Sequence, residues 1–331
     1  MRLGSGRRRL LGLLAVGLAT VGLAGRAPRP APPRRIGVLA PGSVADIARF
    51  PEPLVEGLRE LGWIEGQNLL IERRVADDKA ERLPALAEDL VAAKVEVIVT
   101  SGTPAALAAR AATSSIAIVM ASIFDPVRAG LVESLARPGG NVTGNTLIEP
   151  DLGTKRLQIL RELLPGVSRV GEFGNPNNPA LAMLRRGEED ALRQLGLQAI
   201  FIEVGSAVEL DASFAELKRR QAQALVVHSD TLFVSNRARI AQLALMHQLP
   251  IMAEGRQFVE AGGLVSYAPS QQAMMRKAAA FVDKILRGAR PGDLPVERPT
   301  TFELVFNLRT AKALGIAIPQ SLLLRADEVI Q

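Results

Sequence analysis

Residues 35–39 read RIGVL, and residues 169–173 read RVGEF, 134 positions further along the chain. The segment LRELG at residues 58–62 is echoed by LRQLG at residues 192–196 with the same offset. Two shorter matches follow in the same order, IE at 71–72 with 202–203 and VTS at 99–101 with VHS at 227–229, at offsets that drift to 131 and 128. Ordered matches of this kind indicate two copies of one structural unit.

Within the first copy, short apolar runs alternate with helical periodicity. Leu54, Leu58 and Leu61 share one face of a predicted helix. Strands that are apolar almost throughout, with helices between them, predict a parallel sheet covered on both faces. The sequence therefore predicts an α/β fold of two doubly wound, Rossmann-like lobes with a ligand crevice between them. The expected strands of the first copy are residues 36–40, 69–72, 95–100 and 116–120.

The first 35 residues differ in character from the rest of the chain. They hold eight arginines and no acidic residue, so the net charge of +6 for the whole chain becomes −2 for residues 36–331. The basic excess therefore gives no indication of nucleic-acid binding, and no nucleic-acid partner is expected. Residues 10–25 form an uncharged, mostly apolar run behind three arginines, and this run is shorter than the roughly 20 residues of a bilayer span.

This pattern is typical of a secretory signal, so residues 1–27 are predicted to be a cleaved signal peptide and the mature protein to be periplasmic. The RRRLL sequence at residues 7–11 also resembles a twin-arginine export signal. An uncleaved N-terminal anchor is the alternative. Residues 28–35 are rich in proline and predict a tether. The chain has no cysteine, which excludes disulfides and a lipid-modified cysteine, so no lipid anchor is expected.

The repeat also predicts how the chain passes between the lobes. Residues 36–147 are assigned to lobe 1 and residues 148–264 to lobe 2. The chain is expected to return to lobe 1 over about 265–290, and about 291–331 is assigned to lobe 2.

In doubly wound folds, ligands bind at the carboxyl ends of the strands. Gly42 and Ser43 follow the first predicted strand, and Ser101, Gly102 and Thr103 follow the third. Small hydroxyl residues before a helix offer free N–H groups and the positive end of the helix dipole, which favour a carboxylate or phosphate. Plain N-capping by Ser101 or Thr103 is the alternative.

Five further residues are candidate ligand contacts. Asp125 either pairs with a ligand amine or caps the helix that Pro126 opens. In the second copy, Asn175 and Asn178 follow the first strand, either as amide contacts or in an Asx turn. Asp230 corresponds to Gly102 and suits an ammonium or a hydroxyl. Tyr267 either lines the crevice or packs where the chain crosses between lobes.

Catalytic and metal-binding readings find little support in the sequence. It contains no nucleophile-elbow, phosphate-loop, zinc-protease or dinucleotide-binding motif. The two histidines are His228 and His247, and the His228-Ser229-Asp230 order specifies no triad geometry. We expect no catalytic residue, no metal site and no cofactor.

Several motifs stand in an order that identifies a family. They include EGQN at residues 65–68, GTPAA at 102–106 and LARPGGNVTG at 135–144. The chain from residue 36 onward resembles the ABC-transporter substrate-binding family, which includes tryptophan/tyrosine-type binding proteins. The resemblance implies a type I periplasmic-binding fold, with Thr103, Asp125, Asn175 and Asp230 in the crevice.

Two positions depart from the resemblance, which implies an apolar residue in place of Glu172 and an aromatic residue in place of Gly174. The predicted function is capture of a small polar ligand, with an amino acid among the candidates, by closure of the lobes. The expected partners are an ABC permease and its ATPase in the membrane, and the protein is expected to be a monomer. A ligand-sensing receptor module that signals through a membrane partner is the alternative.

Overall fold

The computed structural model describes residues 32–42, 52–77, 79–149, 151–178 and 181–331. The predicted signal peptide, residues 28–31 of the predicted tether, and Ser43 lie outside these ranges. No helix among the described residues is long and apolar enough to cross a membrane. Strands and helices alternate along the chain, as the apolar periodicity predicts.

The first sheet consists of five parallel strands in the order β2-β1-β3-β4-β5. Its strands are β1 (Arg34–Ala40), β2 (Leu69–Val75), β3 (Val97–Ser101), β4 (Ala117–Ile123) and β5 (Val142–Thr146). The helices between them are α1 (Glu52–Glu60), α2 (Leu83–Ala92) and α3 (Thr103–Ala112).

The second sheet has seven strands in the order β12-β11-β10-β9-β8-β6-β7, parallel except for the antiparallel pair β10–β11. Its strands are β6 (Arg169–Gly174), β7 (Gln198–Glu203), β8 (Ala224–Val227), β9 (Ile251–Ala253), β10 (Val265–Pro269), β11 (Phe302–Asn307) and β12 (Glu328–Ile330). The remaining helices, in chain order, are α4 (Leu152–Leu163), α5 (Leu181–Gln194), α6 (Leu210–Arg219), α7 (Thr231–Ser235), α8 (Arg237–Met246), α9 (Arg256–Glu260), α10 (Gln271–Leu286), α11 (Leu308–Ala313) and α12 (Gln320–Leu323).

The internal repeat is confirmed by the strand orders. Strands β7-β6-β8-β9-β10 repeat the order β2-β1-β3-β4-β5. In each copy the order reverses beside the first strand, between β1 and β3 and again between β6 and β8. These are the two topological switch points, where the connecting helices diverge and leave room for a ligand at the carboxyl ends of the strands.

Both faces of each sheet are covered, which explains the continuous apolar strands. In β1, Ile36 and Val38 pack in one core cluster while Leu39 packs in another. The second sheet likewise separates two clusters, with Val170 of β6 in one and Phe173 in the other. Alternation of side chains across the sheet places successive residues in different cores.

The LARPGGNVTG motif joins several parts of the first sheet. The Asn141 side-chain amide donates to the carbonyls of Thr113 (3.2 Å) and Ile116 (2.7 Å). The Thr143 hydroxyl donates to the carbonyl of Leu294 at 2.6 Å. Gly144 has φ +124°, and a Cβ at this position would lie 2.2 Å from the carbonyl oxygen of Met120. Only glycine allows β5 to approach β4 this closely.

The chain crosses between the sheets later than the sequence predicts. Residues 265–269 were assigned to lobe 1, but they form β10 of the second sheet. Helix α10 packs on the first sheet in the same core cluster as β1, and residues beyond 290 remain there, because Val296 is buried in the other cluster of that sheet. Both predicted boundaries therefore fall short by several residues, because the antiparallel pairing of β10 with β11 carries no signal in the repeat.

Candidate functional site

The first switch point combines the loops that follow β1 and β3. Gly102 is the N-cap of α3, with φ +78°, and its N–H donates to the carbonyl of Ser122 at 3.1 Å. Pro41 lies 3.7 Å from where a Cβ of Gly102 would stand, so the loop that includes Gly42 adjoins the start of α3. Because the N-cap is a glycine, the alternative in which Ser101 or Thr103 caps this helix is not observed. Both residues are partly exposed at its N-terminus.

Asp125 is engaged with its own backbone. Its Oδ1 accepts hydrogen bonds from the N–H groups of Val127 and Arg128, both at 3.1 Å, and Oδ2 lies 3.7 Å from the Arg128 guanidinium. Residues 126–130 form hydrogen-bonded turns and not the helix that Pro126 was expected to open. The structure therefore favours the capping alternative in a modified form, with a turn in place of a helix.

The second switch point brings together three of the sequence-predicted residues. The side-chain amides of Asn175 and Asn178 donate to the two oxygens of the Asp230 carboxylate, at 2.9 and 2.6 Å. Asp230 is the N-cap of α7, and its Oδ1 also accepts from the N–H of Leu232 at 2.8 Å. Asn175 also forms the expected Asx turn, since its Oδ1 accepts from the N–H of Asn177 at 2.9 Å. These donors are uncharged side-chain and backbone amides, so they orient the carboxylate without bringing a positive charge to it.

A buried ionic network lies beside this loop, at the carboxyl ends of β6, β8 and β9. His228 Nε2 is 2.7 Å from Glu172 Oε1, and His228 Nδ1 is 3.2 Å from Glu254 Oε1. The latter is an ion-pair contact without hydrogen-bond alignment. Arg156, from α4, pairs with the same oxygen of Glu254 and donates through Nε to the carbonyl of Tyr267 at 2.8 Å. We call these four side chains, Arg156, Glu172, His228 and Glu254, the buried charge network.

The network compensates its own burial. Desolvation alone would lower the pKa of His228, but attraction to Glu254 and Glu172 and hydrogen bonding with Glu172 hold that pKa well above its ordinary value. Desolvation would likewise raise the pKa of Glu254. The charges of Arg156 and His228, together with hydrogen bonds, instead lower the pKa of Glu254 to about 2. The raised pKa of His228 and the lowered pKa of Glu254 both favour the charged forms of this pair.

Glu254 also holds the loop that leads to Asp230. The N–H of Ser229 donates to Glu254 Oε2 at 3.2 Å, and the Ser229 hydroxyl donates to the Glu254 carbonyl at 2.8 Å. The N–H of Glu254 donates in turn to the carbonyl of Val227 at 3.0 Å. Three hydrogen bonds thus join Glu254 to Val227 and Ser229, the residues on either side of His228.

Tyr267 lies on β10 and stacks on Phe302 of β11, with ring centroids 5.8 Å apart. Its side chain packs against the core cluster that contains Leu157 and Val170. Of the two alternatives for this residue, the structure shows the packing contact.

Sequence reasoning missed Arg156 and Glu254, and treated Glu172 as a lone departure. A signal was present, because Glu172, His228 and Glu254 each stand two positions after an apolar residue of the same core face. Those apolar residues are Val170, Val226 and Met252. Pairing across strands could not be inferred without the strand order.

The described residues contain no group of three or more histidine, cysteine, aspartate or glutamate side chains arranged to hold a metal ion. The two switch points instead present a helix N-terminus on one sheet and, on the other, a carboxylate held by amide and backbone N–H donors. Such groups suit binding of a small polar molecule, and the arrangement defines a ligand-binding protein with two doubly wound sheets.

Comparisons with known proteins give the fold and the family. The fold is similar to that of two solved structures, a conserved domain protein from Vibrio cholerae (TM-score 0.84, 25% identity, 89% of this chain and 99% of that one) and an ABC domain from Streptococcus pneumonia in complex with L-Trp (TM-score 0.84, 27% identity, 90% and 100%). The fold is the type I periplasmic-binding fold.

The family model for ABC transporter substrate binding proteins matches residues 36–330, and the chain belongs to this family. The tyrosine-binding protein of Clostridioides difficile (strain R20291) is 28% identical over 263 residues, which are 79% of this chain and 75% of that relative. The predicted family, fold class and substrate-binding function are confirmed. The family comprises substrate-binding proteins rather than enzymes, and its members act outside the cytoplasm.

Proposed function

We propose that this protein captures an amino acid between its two sheets and delivers it to an ABC permease and ATPase in the membrane. The observation that carries the proposal is the complementary character of the two switch points. The first offers helix N–H groups at Ser101-Gly102-Thr103, and the second offers the Asp230 carboxylate. A zwitterion carries a carboxylate that suits the helix N–H groups and an ammonium that suits Asp230.

The anionic end of the ligand fits the first sheet. Helix α3 spans ten residues, so its dipole is developed, and its first N–H groups have no partner within the helix. The hydroxyls of Ser101 and Thr103 stand beside these groups. A carboxylate bound there accepts charge-assisted hydrogen bonds of roughly 1.5–3 kcal/mol each.

The cationic end fits Asp230. A carboxylate accepts about four hydrogen bonds, and three acceptor positions of Asp230 are occupied by Asn175, Asn178 and Leu232. Among the described residues, this leaves one acceptor position for a ligand ammonium. Because the amide donors fix the carboxylate in one orientation, it binds without losing side-chain freedom.

The relatives support this ligand class. One is a tyrosine-binding protein, and another was solved in complex with L-Trp. In this chain two positions depart from what the resemblance implies, with Glu172 buried in the charge network and Gly174 covered by the side chains of Phe201 and Leu181. We therefore propose α-amino acids as the class of ligand. A screen of amino acids is the experiment that identifies the side chain of the ligand.

The proposal also covers the two lobes of the protein, its export and its monomeric state. Residues 34–146, with α10 and the segment up to about 299, act as one lobe, and the second sheet with its helices acts as the other. The lobes close on the ligand by a hinge motion. Residues 1–27 direct export, and the mature protein works as a periplasmic monomer. N-terminal sequencing and size-exclusion chromatography of protein from the native host test these points, and a start at Met1 contradicts export.

A thermal-shift screen of the common amino acids, including L-tryptophan and L-tyrosine, tests the function. A ligand at 100 times its Kd adds about 2.7 kcal/mol of stability, which is readily detected. Calorimetry on the strongest ligand, with its amino-blocked and carboxyl-amidated analogues, tests the zwitterion. Equal affinity for the amino acid and both analogues would contradict the assignment of the two switch points.

A further inference from the structure

We propose that Glu254 and His228 are positioning residues for ligand binding, which fix the loop carrying Asp230 through Ser229 in a manner that depends on the proton of His228. This inference rests on the proposed function, since Asp230 is the ligand contact there. It adds residues that do not themselves touch the ligand.

The loop that carries Asp230 is held by hydrogen bonds at two residues, Asp230 itself and the preceding Ser229. Asn175 and Asn178 hold the Asp230 carboxylate. The preceding residue, Ser229, is held by its N–H to Glu254 Oε2 (3.2 Å) and its hydroxyl to the Glu254 carbonyl (2.8 Å). The backbone position of Asp230 therefore depends on where the Glu254 side chain lies.

The Glu254 side chain is in turn placed by two cations. Arg156 from α4 and His228 from the end of β8 both contact Oε1, which directs Oε2 toward Ser229. The Arg156 guanidinium is itself oriented by the Tyr267 carbonyl, 2.8 Å from Nε. With the side chains of Arg156 and His228 only 6% and 5% exposed, solvent has little room to substitute for either contact.

His228 brings the dependence on its proton. The charged groups that face the ring are Glu172 from β6 and Glu254 after β9, and Arg156 contacts the same oxygen of Glu254 as the ring does. Asp230 lies two residues further along the same loop. With the ring protonated, both ring nitrogens carry hydrogens toward carboxylates. If Nε2 keeps its hydrogen toward Glu172 after the ring loses a proton, the Nδ1 lone pair faces Glu254 Oε1 at 3.2 Å. That contact changes from attractive to repulsive, and Glu254 is displaced from Ser229.

The experiment needs no variant for its first part. Nuclear magnetic resonance of the unliganded wild-type protein follows the His228 ring nitrogens and the Ser229 backbone amide from pH 6 upward. We expect the Ser229 amide shift to change with the same midpoint as His228. A Ser229 amide that does not respond while His228 titrates overturns the proposal, whatever the protein binds.

The second part uses Glu254→Gln and the matched control Glu260→Gln, an exposed carboxylate on α9 that pairs with Arg256. In Glu254→Gln the shared titration of His228 and Ser229 should disappear, and in Glu260→Gln it should persist. Affinity for L-tryptophan and L-tyrosine, measured by calorimetry at pH 7, should fall at least tenfold in Glu254→Gln and stay within twofold in Glu260→Gln.

The outcomes separate the two proposals. The positioning role is overturned if His228 and Ser229 titrate together in the wild type, but a folded Glu254→Gln protein binds the amino acids as tightly as the wild type does. Shared titration in a wild-type protein that binds no amino acid contradicts the proposed function and leaves the loop mechanism supported. If Glu254→Gln fails to fold, His228→Gln replaces it, and the ratio of wild-type to His228→Gln affinity should decrease as the pH rises through the wild-type midpoint. A ratio independent of pH overturns the proposal.

Discussion

The imidazole of His228 lies 2.7 Å from the carboxylate of Glu172, and both side chains are almost fully buried in the second sheet. Breaking a buried ion pair by removing one partner typically costs about 3–5 kcal/mol, whereas replacing the whole pair by apolar residues is often neutral. We therefore expect Glu172→Leu to lower the free energy of unfolding by about 3 kcal/mol. Urea denaturation of this variant is the measurement.

The control is the double variant Glu172→Leu/His228→Leu, which removes both partners. It should recover part of the loss, because no unpaired cation remains beside an apolar side chain. A double variant whose loss equals the sum of the two single losses would show that the two residues are not coupled.

Stability should depend on pH through the same network. The pKa of His228 is raised in the folded protein, so its contribution is complete below about 6.5, the unfolded value, and is lost as the pH rises through the folded value. The pKa of Glu254 is lowered from 4.5 to about 2, so its contribution is complete above 4.5 and is lost as the pH falls toward 2. Both contributions are complete between about 4.5 and 6.5.

Urea denaturation of the wild-type protein and of His228→Gln over a range of pH checks this dependence. The difference in unfolding free energy between the two proteins should be greatest between about pH 4.5 and 6.5 and should shrink as the pH rises above that range. A difference that grows with rising pH would mean that His228 is neutral in the folded protein.

Asp230→Asn should weaken binding of an amino acid about a hundredfold or more, since a ligand ammonium loses its charged partner. The asparagine side-chain oxygen can still accept from Leu232, so the cap of α7 and the fold should be retained. Thr103→Ala tests the other sheet and should weaken binding by about tenfold, as one hydrogen bond to a charged group is lost. Calorimetry measures both.

The matched control is Asn236→Ala at the C-cap of α7, where the Asn236 side-chain amide donates to the carbonyl of Leu232. Its affinity should stay near that of the wild type. A weakened Thr103→Ala protein beside an unaffected Asp230→Asn protein would indicate a ligand that is an acid without an amine.

Asp125→Ala should act on stability. The carboxylate caps a turn with two backbone N–H groups, and loss of such a cap costs about 1 kcal/mol. Thermal unfolding measures this loss. If the loss of binding free energy exceeds the loss of unfolding free energy, Asp125 contacts the ligand as well.

Gly144→Ala should be strongly destabilising, because the added Cβ would lie 2.2 Å from a backbone oxygen, and backbone cannot yield as a flexible side chain does. We expect a loss of about 3 kcal/mol or more, as for other severe steric conflicts in a core. Gly140→Ala in the same motif is the matched control, since nothing lies within 4 Å of its added Cβ. Equal stability of the two variants would contradict the close approach of β5 to β4.

The sequence was sufficient for the elements that repeat. The pairs RIGVL/RVGEF and LRELG/LRQLG lie on equivalent strands and helices, because the same βαβ packing requires apolar residues at the same spacing in both copies. Asp230 was predicted as the counterpart of Gly102, and both are N-caps at the switch points.

Contacts that depend on strand order could not be predicted in this way. Glu172, His228 and Glu254 lie on or just after three strands that are distant in sequence, and Arg156 comes from a helix that crosses them. Each residue alone has an ordinary local explanation. Their pairing appears only when β6, β8 and β9 become neighbours.

Helix α10 completes the core of the first sheet, with Met275, Phe281 and Val282 packed on residues near the start of the chain. Synthesis on the ribosome proceeds from the N-terminus, so the five strands emerge long before the helix that covers one of their faces. A nascent chain shorter than about 290 residues leaves that apolar face open to chaperones or to the export machinery. Native packing on this face therefore cannot form before α10 has been synthesised, long after the strands that it covers.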